Sequence, residues 1–339
     1  MKILFSIPYA PTFPVPDGLS GGHAIHTLKR GSDWGLRGVR KKLCHLWAGC
    51  RVGWSARRFD ALVLCTVGIE AFVIGFLRRI LCPATRVVVA DILIPNESWL
   101  LRRVRRGLRG LDAFVCIRNG DMETLQAQFG VSSERCFFAP YPAPSSLPVS
   151  VERPEEEEPY LYSAGSAHRD WETLIAALRM LPYRAVISPG SPFRCTSDLP
   201  SHIRVLPPQP PESGRLWMAH AQAAVFSFED TRLPSGPLVL LDAMVMAKPI
   251  VATRVNGTRD YLVHGETGLL VAPRDPVAMA SAIRRVMEEN GLARRLGVAA
   301  REVARTRFTA ADFVGALIEA CEGPCREEGR REPFLSARG

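Results

Sequence analysis

The chain has 339 residues, 47% of them hydrophobic, with 43 Lys and Arg against 34 Asp and Glu and a formal net charge of +9. That length allows two domains of ordinary size, and the apolar content is that of a globular protein. The positive balance implies anionic company: a nucleotide diphosphate, an acidic membrane surface or nucleic acid, with nucleic acid last because no nucleic-acid fold signature accompanies the charge.

The apolar run at Met1–Phe5 is too short for a secretory signal, and the residues to Ile7 form an opening strand. A proline-rich loop follows, then Gly18-Leu19-Ser20-Gly21-Gly22-His23, after which a helix is expected from Ala24. A strand, a glycine loop and a helix start make an anion-binding design, because glycine lets backbone amides approach phosphate oxygens. His23 and His26 are either ligands or exposed helix residues. Trp34–Trp54 is basic and helical, Ala61–Cys65 a strand, and a buried helix begins near Gly68. The apolar stretch 61–76 is interrupted by Glu70 and falls short of the roughly 20 residues that a membrane span needs. Thr85–Asp91 is a parallel strand, and ligands of α/β folds lie beyond such carboxyl ends. Asp91 is therefore a candidate sugar or acceptor contact, or else a turn or helix-capping aspartate. Trp99–Leu111 carries an apolar stripe at 100, 101, 104, 108 and 111 with arginines elsewhere. Such a helix packs on the sheet, or lies peripherally on an anionic membrane. A strand at Ala113–Ile117, a helix at Met122–Phe129 and a short strand at Cys136–Ala139 complete the first half.

Pro142–Pro159, rich in proline, serine and glutamate, marks a linker. Beyond it, strands are expected at Tyr160–Gly165, Arg184–Ser188, Ile203–Pro207, Ala223–Phe226 and Ile250–Ala252. Helices are expected at Trp171–Leu181, Leu216–Ala221, Leu238–Met246, Pro276–Glu289, Leu292–Arg305 and Ala310–Glu322. Ser235 is a good N-cap for the central helix, with Gly236 and Pro237 following where an unpaired N–H costs little. Asp242 lies two turns further on, about 10 Å along the axis from Ser235. That spacing suits a diphosphate at the helix start and a sugar hydroxyl at the carboxylate. Nine cysteines without a CxxC pair offer neither a disulfide framework nor a zinc site, so free thiols in a reducing cytoplasm are expected.

The run from Ser235 onward resembles the nucleotide-binding core of GT-B glycosyltransferases, family 4. Asp242-Ala243-Met244 stands for the second acid of that motif, Ala247-Lys248-Pro249-Ile250 for the turn, with Ala where Gly is usual. Thr258-Arg259-Asp260-Tyr261 and His264–Val271 match the segment after it. The first acid is not matched, since position 234 is proline. The resemblance implies an α/β GT-B fold, two doubly wound Rossmann-like domains facing a cleft. They comprise a shortened acceptor-side domain over 1–145, a linker at 146–158, a nucleotide-sugar domain over 159–322 and a polar tail at 323–339. The last helix typically crosses back to the first domain in such proteins. The implied reaction moves a sugar from a nucleotide-diphosphate donor to a hydroxyl of a glycan, lipid or small molecule, with retention and without metal or resident cofactor. The implied donor contacts are Gly21, Gly22, Gly165, Arg169, Ser235, Gly236 and Asp242; Asp91, Glu229 and Asp230 are candidate sugar or acceptor contacts. Arg169 is one expected diphosphate clamp, or a partner of Asp170 or Glu172, while Ser166 stands where the family has arginine. No catalytic nucleophile is identified. A glycosyltransferase-like protein that binds nucleotide or glycan without turnover is the alternative, and a cytoplasmic location, with or without contact at the inner membrane face, is expected.

Overall fold

Short runs such as Ala61–Cys65 are buried at every residue, which a strand achieves only where helices cover both sheet faces. The computed structural model describes residues 1–7, 22–29, 38–65, 69–91, 107–145, 147, 158–190, 193, 195, 198–231 and 236–323. The chain divides into two compact units, one of Met1–Pro140 with the last helix, the other of Tyr141–Thr309.

The first unit holds strands β1 (Lys2–Ile7), β2 (Ala24–Lys29), β3 (Ala61–Cys65), β4 (Arg86–Ala90), β5 (Ala113–Cys116) and β6 (Cys136–Phe138). They form one parallel sheet in the order β2-β1-β3-β4-β5-β6. Helices α1 (Gly38–Ala56), α2 (Ile69–Leu81) and α3 (Asn119–Phe129) accompany them. The helix expected from Ala24 is instead the strand β2. Its residues pair in parallel register with β1 from Lys2–Ala24 to Ile7–Lys29, and β-branched Ile25 and Thr27 suit that pleat. Gly22, at φ 84°, turns the chain into this edge strand, so no helix N-terminus stands behind it.

The second unit holds β7 (Tyr160–Gly165), α4 (Trp171–Leu178), β8 (Arg184–Pro189), β9 (Ile203–Val205), α5 (Pro211–His220), β10 (Ala223–Phe226), α6 (Pro237–Val245), β11 (Ile250–Thr253) and β12 (Leu269–Val271), then α7 (Pro276–Glu288) and α8 (Leu292–Arg307). Its parallel sheet runs β12-β11-β10-β7-β8-β9, so the strand order reverses between β7 and β10. Separate apolar layers cover the two faces, one around Tyr162, Phe226, Leu240 and Met244, the other around Leu174, Ile187, Val225 and Ile283.

Two boundaries differ from the sequence expectation. Tyr141 and Ala143 already belong to the second unit, where their amides donate to Tyr261 Oη (2.9 Å) and Phe308 O (2.8 Å). The last helix, α9 (Ala310–Glu322), belongs to the first unit rather than to 159–322: it packs on β3 to β6, and Ala320 O accepts from Arg86 Nε at 2.7 Å. The described cysteines are free thiols.

Candidate functional site

In a doubly wound sheet the loops after the two strands flanking the order reversal separate, leaving a crevice at their carboxyl ends. In the second unit those strands are β7, ending at Gly165, and β10, ending at Phe226. The loops that follow are stitched together. Asp170 N donates to Ser227 O at 3.1 Å, and Glu229 N to His168 O at 3.0 Å, framing an antiparallel bridge between Arg169 and Phe228. Phe228 N donates in turn to Thr253 Oγ1 at 3.1 Å, tying in the end of β11.

Arg169 is the centre of this arrangement. Its side chain is buried, with Nε donating to Ala164 O (2.8 Å) and Nη1 to Ala167 O (2.9 Å), and its guanidinium lies 4.3 Å from the centroid of the Phe228 ring. Neither Asp170 nor Glu172 pairs with it. Asp170 caps α4 instead, accepting from Thr173 N (3.0 Å) and Thr173 Oγ1 (2.6 Å), and among the described residues no carboxylate neutralises Arg169. Burial pushes the Arg169 pKa down to about 9. A buried, uncompensated cation is costly, so one seated at a crevice is a candidate for anion binding. Gly165, at φ 114°, makes the placement possible: a Cβ there would fall 1.9 Å from Nη2 of Arg169.

Phe228 also meets the start of α6. Gly236, at φ 88°, is the N-cap residue and Pro237 the first helical residue, so the cap is one position later than the Ser235 expected. A Cβ on Gly236 would lie 2.4 Å from Phe228 Cζ, and only glycine fits there. Ser235 itself, Gly21, and the alternative cation Arg232 lie outside the described residues. Ser227 Oγ is buried beside this junction without a hydrogen-bond partner among the described residues.

Asp242 projects from α6 and accepts from Arg215 Nε of α5 at 2.9 Å, an ion pair that the sequence did not signal because 27 residues separate the partners. Burial raises the Asp242 pKa, with Arg215 opposing. Glu229 and Asp230 are exposed and line a cavity of about 560 Å³ with Asp170, Glu172, Thr173, Thr231 and Arg274. His168 Nδ1 stands 3.7 Å from Glu229 Oε2. Ser166 is exposed on the loop after Gly165.

The remaining candidates fall in the first unit. Asp91, at φ 55°, follows β4; its Oδ1 is 3.7 Å from Nη2 of the buried Arg118, whose Nε donates to Asp121 Oδ2 at 2.7 Å, with Nη2 in ion-pair contact with the same oxygen. Burial raises the Asp91 pKa. Gly22 is exposed, and a Cβ there would meet nothing within 4 Å. His23 Nε2 faces Glu322 Oε1 at 3.4 Å, and the His26 ring meets Phe59 edge-on, which leaves both histidines in structural contacts.

Residues 185–289 match the family model of glycosyl transferases group 1. That segment is similar to glycosyl transferases group 1, and the solved structures that the chain resembles show the GT-B fold. Over 101 residues the chain is 36% identical to a D-inositol 3-phosphate glycosyltransferase of Corynebacterium diphtheriae, a match that spans 30% of this chain and 23% of that relative. A namesake from Xylanimonas cellulosilytica is 24% identical over 303 residues, 81% of this chain and 70% of the relative. Among solved structures, sucrose-phosphate synthase from Thermosynechococcus elongatus superposes with a TM-score of 0.70 at 18% identity, covering 94% of this chain and 98% of that one. The Anabaena protein HepE in complex with UDP and glucose gives 0.66 at 16% identity, covering 95% and 99%. The two parallel sheets are thus those of the GT-B fold, and the matched family segment begins in β8 and reaches past the end of α7.

Proposed function

We propose that this GT-B protein transfers a glycosyl group from a nucleotide-diphosphate sugar to a hydroxyl acceptor, with retained anomeric configuration, the nucleotide-sugar being a substrate and no resident cofactor taking part. The observation that carries this reading is Arg169, a buried cation without a carboxylate partner among the described residues, seated where the sheet order reverses. A diphosphate would supply the missing counter-charge and accept from the guanidinium, a charge-assisted contact of about 1.5–3 kcal/mol. The start of α6 faces the same Phe228 ring, so its free amides would share the load as the diphosphate departs. Asp242, held in one orientation by Arg215, would accept from a pentose hydroxyl. Glu229 and Asp230, at the rim, would meet sugar hydroxyls. The Anabaena structure with UDP and glucose supports a donor of this class.

A reading as a binding protein without turnover rests on two departures, Pro234 in place of the first motif acid and Ser166 in place of an arginine. The test is a thermal-shift screen of nucleoside diphosphates and their sugar conjugates, followed by hydrolysis and transfer assays on wild type, Arg169→Ala and Asp242→Ala. Turnover lost in both variants supports the transferase. Nucleotide binding without turnover of any donor supports the second reading, and no nucleotide binding removes the transferase and leaves only glycan binding to the second reading.

A further inference from the structure

We propose that the outward face of α1, continued by the C-terminal half of α2, is a surface that docks this protein on an anionic lipid bilayer. The two helices lie side by side because glycines line their contact. A Cβ on Gly49 would stand 3.1 Å from Val73 Cβ, and one on Gly53 would stand 3.0 Å from Leu81 Cδ1. That contact fixes which side of α1 turns out. At helical spacing on the outer side stand Leu43 (58% exposed), Trp47 (63%) and Trp54 (60%), with Leu46 beside them. The adjoining helix adds Phe76, Leu77 and Ile80, the last 65% exposed. Arg57 joins the two at one end: it donates to Leu81 O at 2.7 Å and to Ile80 O, while its guanidinium covers the Trp54 ring at 3.6 Å. Arg51 covers Trp47 at 4.9 Å. Elsewhere among the described residues the exposed large apolar residues (Met180, Leu199, Leu238, Val277 and Val298) are scattered over separate elements, so this concentration is a patch rather than ordinary surface.

The charge of the patch names its partner. Residues 38–58 contain no acid, and Glu70, the one acid of α2, is turned inward against His45 Nδ1 at 2.6 Å. Arg51, Arg57, Arg58 and Arg79 are exposed. Indoles flanked by arginine, with leucine and isoleucine beyond, match the boundary between head groups and acyl chains. A second copy would oppose the same unneutralised arginines, and a nucleic acid would leave the aliphatic side chains without a partner. None of the described helices is long and apolar enough to cross a membrane, so α1 and α2 would rest on the surface. This places the lipid contact on a different surface from the Trp99–Leu111 segment singled out in the sequence, of which residues 99–106 lie outside the described residues.

The test is flotation of the full chain with vesicles of phosphatidylcholine alone and of phosphatidylcholine mixed with phosphatidylglycerol. The expected result is flotation with the mixed vesicles only, released by added salt. Replacing Trp47 and Trp54 together by alanine, both outside the core, is expected to weaken partitioning about tenfold or more, and Arg51→Ala and Arg58→Ala about fivefold each. Thermal melts of the variants confirm that they fold. Should the tryptophan variant not fold, quenching of tryptophan emission by brominated phosphatidylglycerol in a Trp34→Phe, Trp99→Phe variant carries the test. Quenching supports the surface, and its absence overturns it. The proposal is also overturned by failure to float, by flotation indifferent to the tryptophans, or by flotation that depends instead on Arg102, Arg103, Arg105 and Arg106. Self-association abolished by the tryptophan variant, without lipid binding, overturns it too.

Discussion

Ala247 adopts φ 54°, a left-handed conformation that costs a side-chain-bearing residue about 1–2 kcal/mol. It does so because α6 ends in a Schellman turn: Lys248 N donates to Ala243 O (2.9 Å) and Ala247 N to Met244 O (2.9 Å). The alanine replaces the glycine usual in the family motif, so Ala247→Gly is expected to raise unfolding stability by about 1 kcal/mol, read from urea denaturation. Arg169 makes the opposite exchange, since its burial costs stability at the proposed diphosphate site. Arg169→Ala is expected to weaken nucleoside diphosphate binding by about 1.5–3 kcal/mol, roughly ten- to hundredfold, by titration calorimetry. The pH dependence follows from its depressed pKa of about 9 against 12.5 in the free side chain. Below about 9 the arginine is charged in folded and unfolded chains alike; between the two values only the unfolded chain keeps the proton. Ligand-free stability therefore gains from this residue as pH climbs through that window, while nucleotide affinity falls with the cation.

At the scale of elements, the second unit was nearly all legible in the sequence, because each strand there is a short apolar run next to an amphipathic helix with a proline or aspartate at its start. Asp275 caps α7 through Ala278 N at 2.8 Å with Pro276 behind it, a pairing readable from two adjacent letters. The stretch from Ala24 misled because its one glycine turn looks the same before a helix as before an edge strand; only the pairing with β1 decides, and pairing is not written locally. In the site, Gly165 and Gly236 could be picked out as glycines beside a strand end and a helix start, and Arg169 only through the family resemblance of its loop. The clasp of Arg169 onto Phe228 and the ion pair of Asp242 with Arg215 could not, since both depend on chain segments brought together by the sheet order. The fate of α9 was half legible: its crossing back was expected, yet its membership in the first unit rests on packing against β3 to β6. A chain ending at Thr309 is accordingly expected to leave the first unit's sheet open to proteolysis and the second unit resistant. Equal digestion of both would contradict that division.

Across the whole molecule, two units with separate cores divide the labour that the site and the surface patch imply. The proposed donor contacts Gly165, Arg169, Gly236 and Asp242 all belong to Tyr141–Thr309, whereas the exposed aromatic face belongs wholly to Met1–Pro140. A ligand that binds only the folded second unit stabilises that unit by mass action, by about 2.7 kcal/mol at roughly a hundredfold excess over its Kd. Hydrogen exchange separates this from a general tightening, because amides report opening element by element. With saturating nucleoside diphosphate, exchange is expected to slow in β7, in β10 and the loop residues 227–229, and through α6, with β1, β3 and β4 unchanged. If a sugar conjugate is used instead, protection is expected to extend further along that loop to Asp230. Slowing confined to the first unit's sheet would move the nucleotide away from Arg169, because an anion bound elsewhere gives these amides no reason to close.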